Sequence, residues 1–401
     1  MKRAGGLLAL LLVLQNQSVS SVLATAQPVA VVSGDWNGDT KPDLAVLDSV
    51  GNRVSIALGG AGTTFISTKE FAVGSTPIAM AAADLNFDGA QDLVVLNRGS
   101  RTISILVGDA TTFLPARTVA LGGSGTLAGL AVGTFDNDRL DDLAIATAGS
   151  STIEIYHGDG AFNFVPSGTM PGPSDLSFIR VGDLDGDGRS DLVAGSPNSN
   201  TVWTYLHATT STGTILGLAA PRTYGVGAAP LAAAFADFNS DARMDIAVAN
   251  SGSSNVTLLL QNATTAFSSV TLAVVGTTPT AIVAADLSGD GRPDVATLNS
   301  GTSDLSIGVG DGRGGLSIGT AVAARGAGQT LAVADVNADG LNDLISTSAG
   351  ASDIAVYLNA GSAALAATGT YLVGSQPIYV QAGDMDRNGT CLLYTSPSPR
   401  D

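Results

Sequence analysis

One short acidic loop recurs at nearly constant spacing, and this repetition limits the possible folds more than any other feature of the sequence. The best-formed copy is the nine-residue segment 183–191, sequence DLDGDGRSD, with carboxylates at positions 1, 3, 5 and 9. Position 1 recurs at intervals of 49, 50, 49, 54, 49, 49 and 49 residues, at Asp35, Asp84, Thr134, Asp183, Asp237, Asp286, Asp335 and Asp384. Intervals this regular indicate a repeat architecture.

Each repeat contains the pattern of four short β-strands. An apolar run of small residues enters the loop, as in 78–83, and a second apolar run leaves it, as in 93–96. A third segment alternates, as at Ile103, Ile105 and Val107, which indicates a half-buried strand. A fourth, less regular strand leads into the next repeat. Four strands in a repeat of about this length are typical of a propeller blade.

We therefore predict an all-β fold, a β-propeller of four-stranded blades with seven complete repeats and eight possible. The expected division is a signal peptide (1–26), seven repeats (27–377), a truncated eighth repeat (378–390) and a non-native tail (391–401). The partial eighth repeat could be a closing strand, an eighth blade or the start of a further array. These alternatives stay open on the sequence alone.

The first 26 residues have the features of a secretory signal peptide. Lys2 and Arg3 precede an apolar run over 7–14, and Ala24-Thr25-Ala26 has the small-residue spacing that signal peptidase requires. We expect a secreted or cell-surface protein. Cys391 is the single cysteine, so no disulfide within one chain is expected.

The end of the chain departs from the repeat. The eighth copy begins with Asp384, Asp386 and Asn388, but Leu392 stands at position 9. The final segment CLLYTSPSPRD resembles no earlier repeat and has the character of a translated sequencing adapter. We therefore expect a monomeric propeller within a longer native chain.

Composition narrows the class of partner. The chain is 45% hydrophobic and 13% charged, with a net charge of −17 at pH 7, which favours a globular fold and argues against nucleic acid or anionic membranes as partners. After the leader, no segment has the roughly 18 consecutive apolar residues of a membrane span. The acidic balance fits a protein that binds cations.

The loop spacing predicts calcium binding. Ca²⁺ takes six to eight oxygen ligands, and alternate side chains of a tight loop can converge on one ion. An EF-hand closes with Glu at position 12, but that position is Ala194 here, so the carboxylate at position 9 is expected to close the shell. Position 7 would add a backbone carbonyl. The alternative is a set of polar hairpin loops without metal.

Six loops carry the complete set of side-chain oxygens, at Asp35, Asn37, Asp39, Asp43; Asp84, Asn86, Asp88, Asp92; Asp183, Asp185, Asp187, Asp191; Asp237, Asn239, Asp241, Asp245; Asp286, Ser288, Asp290, Asp294; and Asp335, Asn337, Asp339, Asp343. The third loop keeps Asp136, Asp138 and Asp142 but has Thr134 at position 1, so it is expected to be the weakest site or empty. In the fifth loop, Ala242 stands at the position where a glycine favours the turn. We expect about five to seven Ca²⁺ ions, with a structural role.

Residues suited to catalysis are few. His157 aligns with apolar residues of the third strand and is expected to pack against its neighbours, while His207 aligns with a turn and is expected to be solvated. The glycines Gly310, Gly312 and Gly315 match G-x-G-x-x-G, but a strand instead of a helix follows them, which argues against a dinucleotide site. No catalytic residue is predicted.

The repeats resemble a known family. Segments such as DLDGDGRSDLV, ADLNFDGAQDLVVLN and ADLSGDGRPDVATLNSG are similar to the FG-GAP and VCBS-type repeats of integrin α-like propellers and bacterial secreted proteins. The likeness extends from Pro28 to about Gly389 and centres on D-x-[DNS]-x-D-x-x-x-D-[LVI]. It implies a β-propeller, commonly of seven blades, with Ca²⁺ in the hairpin between the first two strands of each blade.

The resemblance implies binding or adhesion more than catalysis. We expect an adhesion or ligand-binding module whose partner is an extracellular protein or glycan, held on loops opposite or beside the calcium face. The alternative is an exported hydrolase or lyase, or the accessory propeller of an enzyme whose catalytic domain is missing. Polar or charged residues converging on the central channel would favour the enzyme, and small residues would favour a scaffold.

Overall fold

The computed structural model describes residues 28–34, 36, 43–59, 65–109, 113–136, 138–207, 217–324, 330–335, 339–348, 353–372, 380–383 and 392–395. Outside the described residues lie the predicted signal peptide (1–26), the candidate ligands Asp35, Asn37, Asp39 and Asn337, and the eighth loop with Cys391 (384–391). All regular structure among the described residues is β-strand, and this part of the chain contains no helix that could span a membrane.

The strands form consecutive antiparallel sheets, numbered here in chain order. Sheet 1 contains β1 (Pro28–Gly34), β2 (Asp43–Asp48), β3 (Arg53–Gly59) and β4 (Phe65–Ala72). Sheet 2 contains β5 (Pro77–Ala83), β6 (Asp92–Asn97), β7 (Thr102–Leu106) and β8 (Arg117–Ala120). Sheet 3 contains β9 (Thr126–Gly133), β10 (Asp142–Ala148), β11 (Thr152–Gly158) and β12 (Phe164–Pro171). Sheet 4 contains β13 (Ile179–Gly182), β14 (Asp191–Ser196), β15 (Thr201–Tyr205) and β16 (Arg222–Gly225).

The second half of the chain continues the same order. Sheet 5 contains β17 (Pro230–Ala236), β18 (Asp245–Asn250), β19 (Asn255–Gln261) and β20 (Phe267–Val274). Sheet 6 contains β21 (Pro279–Ala285), β22 (Asp294–Asn299), β23 (Asp304–Gly310) and β24 (Leu316–Ile318), and the short β25 (Val322–Ala323) also pairs with β23. Sheet 7 contains β26 (Leu331–Ala334), β27 (Asp343–Ser348), β28 (Asp353–Asn359) and β29 (Leu365–Leu372), and sheet 8 contains β30 (Val380–Gly383) and β31 (Leu392–Thr395). The predicted all-β propeller with seven complete four-stranded repeats is confirmed.

The first strands of neighbouring sheets lie next to one another. Strand β5 contacts both β1 and β9, and β21 contacts both β17 and β26. Strand β30 contacts β26 on one side and β1 on the other, so the succession of first strands returns to its beginning through sheet 8. The partial eighth repeat therefore occupies a place of its own in the ring.

The register of each sheet places the acidic loop in the hairpin between its first two strands. The residue before the loop pairs with the residue at position 9, as in Ala83 with Asp92 and Ala236 with Asp245. Gly383 pairs with Leu392 in the same way, although Leu392 belongs to the segment expected to be non-native. The domain boundaries stay predictions.

The hydrophobic core lies between successive sheets. Second strands such as β10 send alternate side chains to opposite faces: Leu143 and Ile145 pack toward sheet 2, and Ala144 and Ala146 pack toward sheet 4. Because both faces are covered, these strands are apolar at nearly every position. First strands such as β5 are only half-buried.

Position 2 anchors the acidic loop to this core wherever the structure describes that residue. Its side chain is fully or almost fully buried in the six described copies, Trp36, Leu85, Phe135, Leu184, Phe238 and Leu287. Leu184 joins the cluster between sheets 4 and 5, where it accompanies Phe267, the apolar residue that begins β20. The acidic loops are thus anchored by apolar side chains that point away from the carboxylates.

Truncation at position 2 is expected to destabilise the fold. Leu184→Ala removes a fully buried side chain and leaves a cavity between two sheets, which costs about 2–5 kcal/mol. Urea unfolding measures this loss. Val274→Ala, at a side chain that is 74% exposed, is the control and should change stability little. Equal effects of the two substitutions would contradict the anchoring role.

Candidate metal centres

The carboxylate at position 9 is buried beneath the loop. All seven copies have no exposed surface, at Asp43, Asp92, Asp142, Asp191, Asp245, Asp294 and Asp343. In the fourth loop, the backbone N–H of Leu184 donates to Asp191 Oδ2 at 2.7 Å, and the N–H of His207 donates to Oδ1 at 2.6 Å. This side chain therefore joins the loop to the end of the third strand.

The same two bonds recur along the chain. An N–H at position 2 and an N–H sixteen residues after the aspartate donate to its two oxygens at 2.8–3.0 Å in the second and third loops, and at 2.7–2.9 Å in the fifth and sixth. The sequence predicted a metal ligand at position 9 and missed this hydrogen-bonding role. A carboxylate oxygen has two lone pairs, and Asp294 Oδ2 uses both, since it also accepts the N–H of Ser288 at 2.7 Å. Ligation at position 9 stays a prediction.

Burial perturbs the acidity of these aspartates. It raises the pKa of Asp191 to about 7, and the pKa values of Asp92, Asp142 and Asp245 to about 6. Neighbouring loop carboxylates push in the same direction, while the backbone N–H donors oppose the shift. A nearby divalent cation would relieve the electrostatic part of this penalty.

The fourth loop brings three carboxylates together. One oxygen from each of Asp183, Asp185 and Asp187 lies within 4.8 Å of the others. Asp183 Oδ1 accepts the N–H of Gly186 at 2.8 Å, and its Oδ2 accepts the N–H of Gly188 at 2.9 Å. Both glycines have a left-handed backbone, with φ of 76° and 80°. This tight turn directs the carboxylates to one side.

Four other loops repeat this conformation among the described residues. Position-1 carboxylates accept backbone N–H groups from positions 5 and 6 at Asp84, Asp237, Asp286 and Asp335. Ala242 adopts φ of 63° at position 6, so the fifth loop keeps its shape at some backbone strain. Position 3 is an amide or hydroxyl in these loops where it is described, at Asn86, Asn239 and Ser288.

This donor set fits calcium. Carboxylate, amide and hydroxyl oxygens are the hard ligands that Ca²⁺ prefers, and a tight loop presents them from alternate positions. In the fifth loop, Arg243 Nη2 lies 2.8 Å from Asp241 Oδ2, so the guanidinium group offsets part of the negative charge of the loop. In the fourth loop, the corresponding Arg189 contacts the His207 ring, with Nη1 3.1 Å from Nδ1.

His207 is buried, so the expectation that it is solvated is wrong. Its side chain has no exposed surface, and Nε2 lies 3.2 Å from the carbonyl oxygen of Asp136 in the preceding loop. Gln261 and Asn359 occupy the equivalent position in sheets 5 and 7, and their amides donate to the carbonyls of Leu184 and Leu287 at 2.9 and 2.6 Å. These bonds connect the loops of neighbouring sheets.

The third loop is built differently. His157 projects from β11 into the loop, with Nδ1 2.8 Å from Asp136 Oδ2 and 3.4 Å from Asp142 Oδ1. Its Nε2 lies 3.6 Å from Asp138 Oδ2. The sequence analysis predicted that His157 packs against its neighbours in the third strand, and it did not predict this contact with the loop. The contact could have been predicted from the sequence, because the repeat that lacks the aspartate at position 1, with Thr134 in its place, is also the repeat that carries His157.

Comparison with known families and structures places the chain among repeat proteins. A family model described as an FG-GAP-like repeat matches residues 35–95, 134–194, 183–248, 237–297 and 286–346, more than half of the chain. No curated protein sequence matches.

Similar solved structures share the fold at low identity. A Lactobacillus plantarum protein is 16% identical, with a TM-score of 0.55 over 87% of this chain and 98% of that one. BBS1N, crystallised in complex with ARL6DN, is 15% identical, with a TM-score of 0.51 over 82% and 90%. The Pseudomonas aeruginosa periplasmic gluconolactonase PpgL is 15% identical, with a TM-score of 0.50 over 71% and 83%. At this identity the likeness shows the fold alone.

The raised pKa values predict a pH dependence of the metal-free protein. An aspartate in the unfolded chain has a pKa near 3.9. Since the pKa values of Asp92, Asp142, Asp191 and Asp245 rise to about 6–7 on folding, the folded state holds more protons between about pH 4 and 7. Stability should therefore fall as the pH rises through this window.

Urea unfolding in EDTA at pH 5 and pH 7.5 measures this trend. Asp191→Asn should weaken the pH dependence, because Asp191 has the highest pKa of the four aspartates. Asp311→Asn is the matched control, since Asp311 lies in an exposed turn and its backbone hydrogen bonds lower its pKa. A metal-free protein that is more stable at pH 7.5 than at pH 5 would contradict the prediction.

Proposed function

The chain belongs to the FG-GAP-like repeat family, and on that basis we propose that it is a secreted or cell-surface binding module whose propeller is stabilised by calcium. Its ligand is an extracellular protein or glycan. The observation that carries the calcium assignment is the convergence of Asp183, Asp185 and Asp187 on one point of the fourth loop. Calcium is structural in this proposal, and recognition takes place elsewhere on the propeller.

Electrostatics support a structural ion. The chain has a net charge of −17, and much of its acid is concentrated in the loops. Three carboxylates within a few ångströms repel one another at neutral pH, and a divalent ion removes this repulsion. Because the loops connect neighbouring sheets through His207, Gln261 and Asn359, an ion in one loop would also stabilise its contact with the next sheet.

Calcium is expected to raise thermal stability. A ligand that binds only the folded state contributes RT ln(1 + [L]/Kd), which is about 2.7 kcal/mol per site at a hundredfold excess over Kd. The melting temperature should therefore be higher in CaCl₂ than in EDTA. Asp183→Asn with Asp185→Asn should reduce this difference, whereas Glu70→Gln, on an exposed side chain, should preserve it. An identical melting temperature with and without chelator would contradict the calcium proposal and support the alternative, in which the loops are polar hairpins without metal.

Small side chains in the first strands favour a scaffold over an enzyme. Strands β5, β17 and β21 have the sequences PIAMAAA, PLAAAFA and PTAIVAA. Among the first strands as the structure describes them, Arg180 in β13 is the one charged residue. The hydrolase or lyase alternative would need polar groups converging there, and fold similarity to a gluconolactonase does not supply them.

A cavity at sheet 3, beside the segment that connects sheet 2 to sheet 3, is a suitable place for the ligand. It has a volume of about 310 Å³ and is lined by Gly122, Ser124, Ser150, Thr152 and Glu154 among others. The turn between β10 and β11 forms part of its wall, at the end of the sheet opposite the acidic loop. This position agrees with recognition away from calcium.

The cavity contains a preorganised carboxylate. Glu154 Oε1 lies 3.0 Å from Arg101 Nη2, and the Tyr156 hydroxyl donates to Glu154 Oε2 at 2.9 Å. Burial, followed by the contact with Glu154, raises the pKa of Tyr156 to about 12, so the phenol stays protonated. Together with the hydroxyls of Ser124, Ser150 and Thr152, this lining offers hydrogen bonds to a glycan or to a polar protein loop.

Ligand capture in calcium tests the binding function. A glycan array and a pull-down from extracellular fluid, both in CaCl₂, should identify a ligand for the wild-type protein. Ser124→Trp should weaken its binding by filling the cavity, whereas Ser268→Trp, at an exposed site on β20, should not. Failure to retain any protein or glycan in CaCl₂ would contradict the proposed function, and equal binding by both variants would place the ligand outside this cavity.

A further inference from the structure

We propose that the third loop is a site for a divalent transition-metal ion of the Zn²⁺ class, held by Asp136, Asp142 and His157, and differs in metal preference from the calcium-type loops. The ligand atoms of Asp136, Asp142 and His157 lie within 4.8 Å of one another. This inference concerns a different loop and a different ion, and it does not depend on calcium occupancy elsewhere in the propeller.

The imidazole is placed as a ligand. His157 Nδ1 is shielded from solvent and lies 2.8 Å from Asp136 Oδ2 and 3.4 Å from Asp142 Oδ1, and neither contact has hydrogen-bond geometry. Two ligand atoms bound to one tetrahedral Zn²⁺ are separated by about 3.3 Å, given metal–ligand bonds of about 2.0–2.1 Å. A small adjustment of the Asp136 side chain would bring the three atoms to this spacing.

Asp138 occupies the place of a supporting partner. Its Oδ2 lies 3.6 Å from His157 Nε2, and its carboxyl group also contacts that of Asp136. Metal-bound histidines commonly direct their second nitrogen at a carboxylate, which holds the ring in place and makes the ligating nitrogen more basic. With Nδ1 as ligand, the Nε2 proton would therefore face Asp138.

Two residue changes in one repeat alter the donor set together. Thr134 replaces the aspartate at position 1, which removes a hard oxygen ligand from the loop. His157 stands where the other repeats have an apolar residue, at Leu58, Val107, Leu206, Leu260, Val309 and Leu358. The loop has thus exchanged a carboxylate for an imidazole.

Ligand chemistry decides the metal. Ca²⁺ binds oxygen ligands, whereas imidazole nitrogen suits Zn²⁺, Co²⁺ and related ions. Asp142 is buried, and its Oδ1 also accepts the N–H of Gly158 at 3.0 Å, which leaves a second lone pair for the metal. Two carboxylates and a neutral imidazole balance a divalent charge, and water could complete the coordination.

Cobalt binding in the presence of calcium tests the proposal. Excess CaCl₂ occupies the oxygen-lined loops, and Co²⁺ is then titrated while its visible absorption is recorded. We expect one saturable equivalent that Zn²⁺ displaces. His157→Leu, which restores the residue type of the other repeats, should weaken Co²⁺ binding at least tenfold, and Asp136→Asn should do the same. Asp311→Asn, in an exposed turn outside the acidic loops, is the matched control and should leave Co²⁺ affinity unchanged.

A second experiment converts the third loop to the residue types of the other loops. Thr134→Asp combined with His157→Leu should abolish the Co²⁺ signal and add one calcium equivalent by equilibrium dialysis. Circular dichroism confirms folding, and if His157→Leu is unfolded, Asp136→Asn is compared with the wild type instead. No Co²⁺ binding, or equal affinity with and without the imidazole, would overturn the proposal. A chelator-insensitive melting temperature with intact Co²⁺ binding would overturn only the calcium assignment.

Discussion

The buried aspartate at position 9 is the interaction on which the rest of each repeat depends. Its two oxygens accept one N–H from the start of the acidic loop and one from the end of the third strand, as Asp191 does with Leu184 and His207. One side chain therefore fixes both turns at one end of a sheet. A carboxylate is needed because two backbone donors that water cannot reach would otherwise be unsatisfied, at about 1–3 kcal/mol each.

This arrangement places negative charge where it is least favourable, and the protein compensates in several ways. Burial raises the pKa of Asp191 to about 7 and thereby weakens its charge in the metal-free protein. Arg243 pairs with Asp241 in the fifth loop, and His157 lies against Asp136 in the third. A cation bound within the loop would serve the same purpose more completely, since one divalent ion would face several carboxylates at once. Each loop therefore concentrates negative charge, and the groups that offset this charge differ from loop to loop.

Interpretation of the repeat from sequence succeeded where the relevant contacts are local. The spacing of Asp183, Asp185 and Asp187 predicted that they converge, because a short loop with left-handed residues at Gly186 and Gly188 determines where they point. It failed for His207, whose turn position suggested exposure although its ring packs against the preceding loop through Asp136. It also missed the contact of His157 with the third loop. The partner of His207 lies 71 residues away in the preceding repeat, whereas the partners of His157 lie in its own repeat but outside its strand.

The sequence by itself determined the repeat length, the four strands per repeat and the position of every acidic loop, because alternation and turn residues act over a few neighbouring positions. Tertiary structure alone decided which groups each loop contacts. Tertiary packing placed β30 between β26 and β1, buried His207 beside the preceding loop, and brought the segment before β9 against sheet 3 to form the cavity around Glu154. These features depend on how whole sheets lie against one another, and no pattern within a single repeat specifies that.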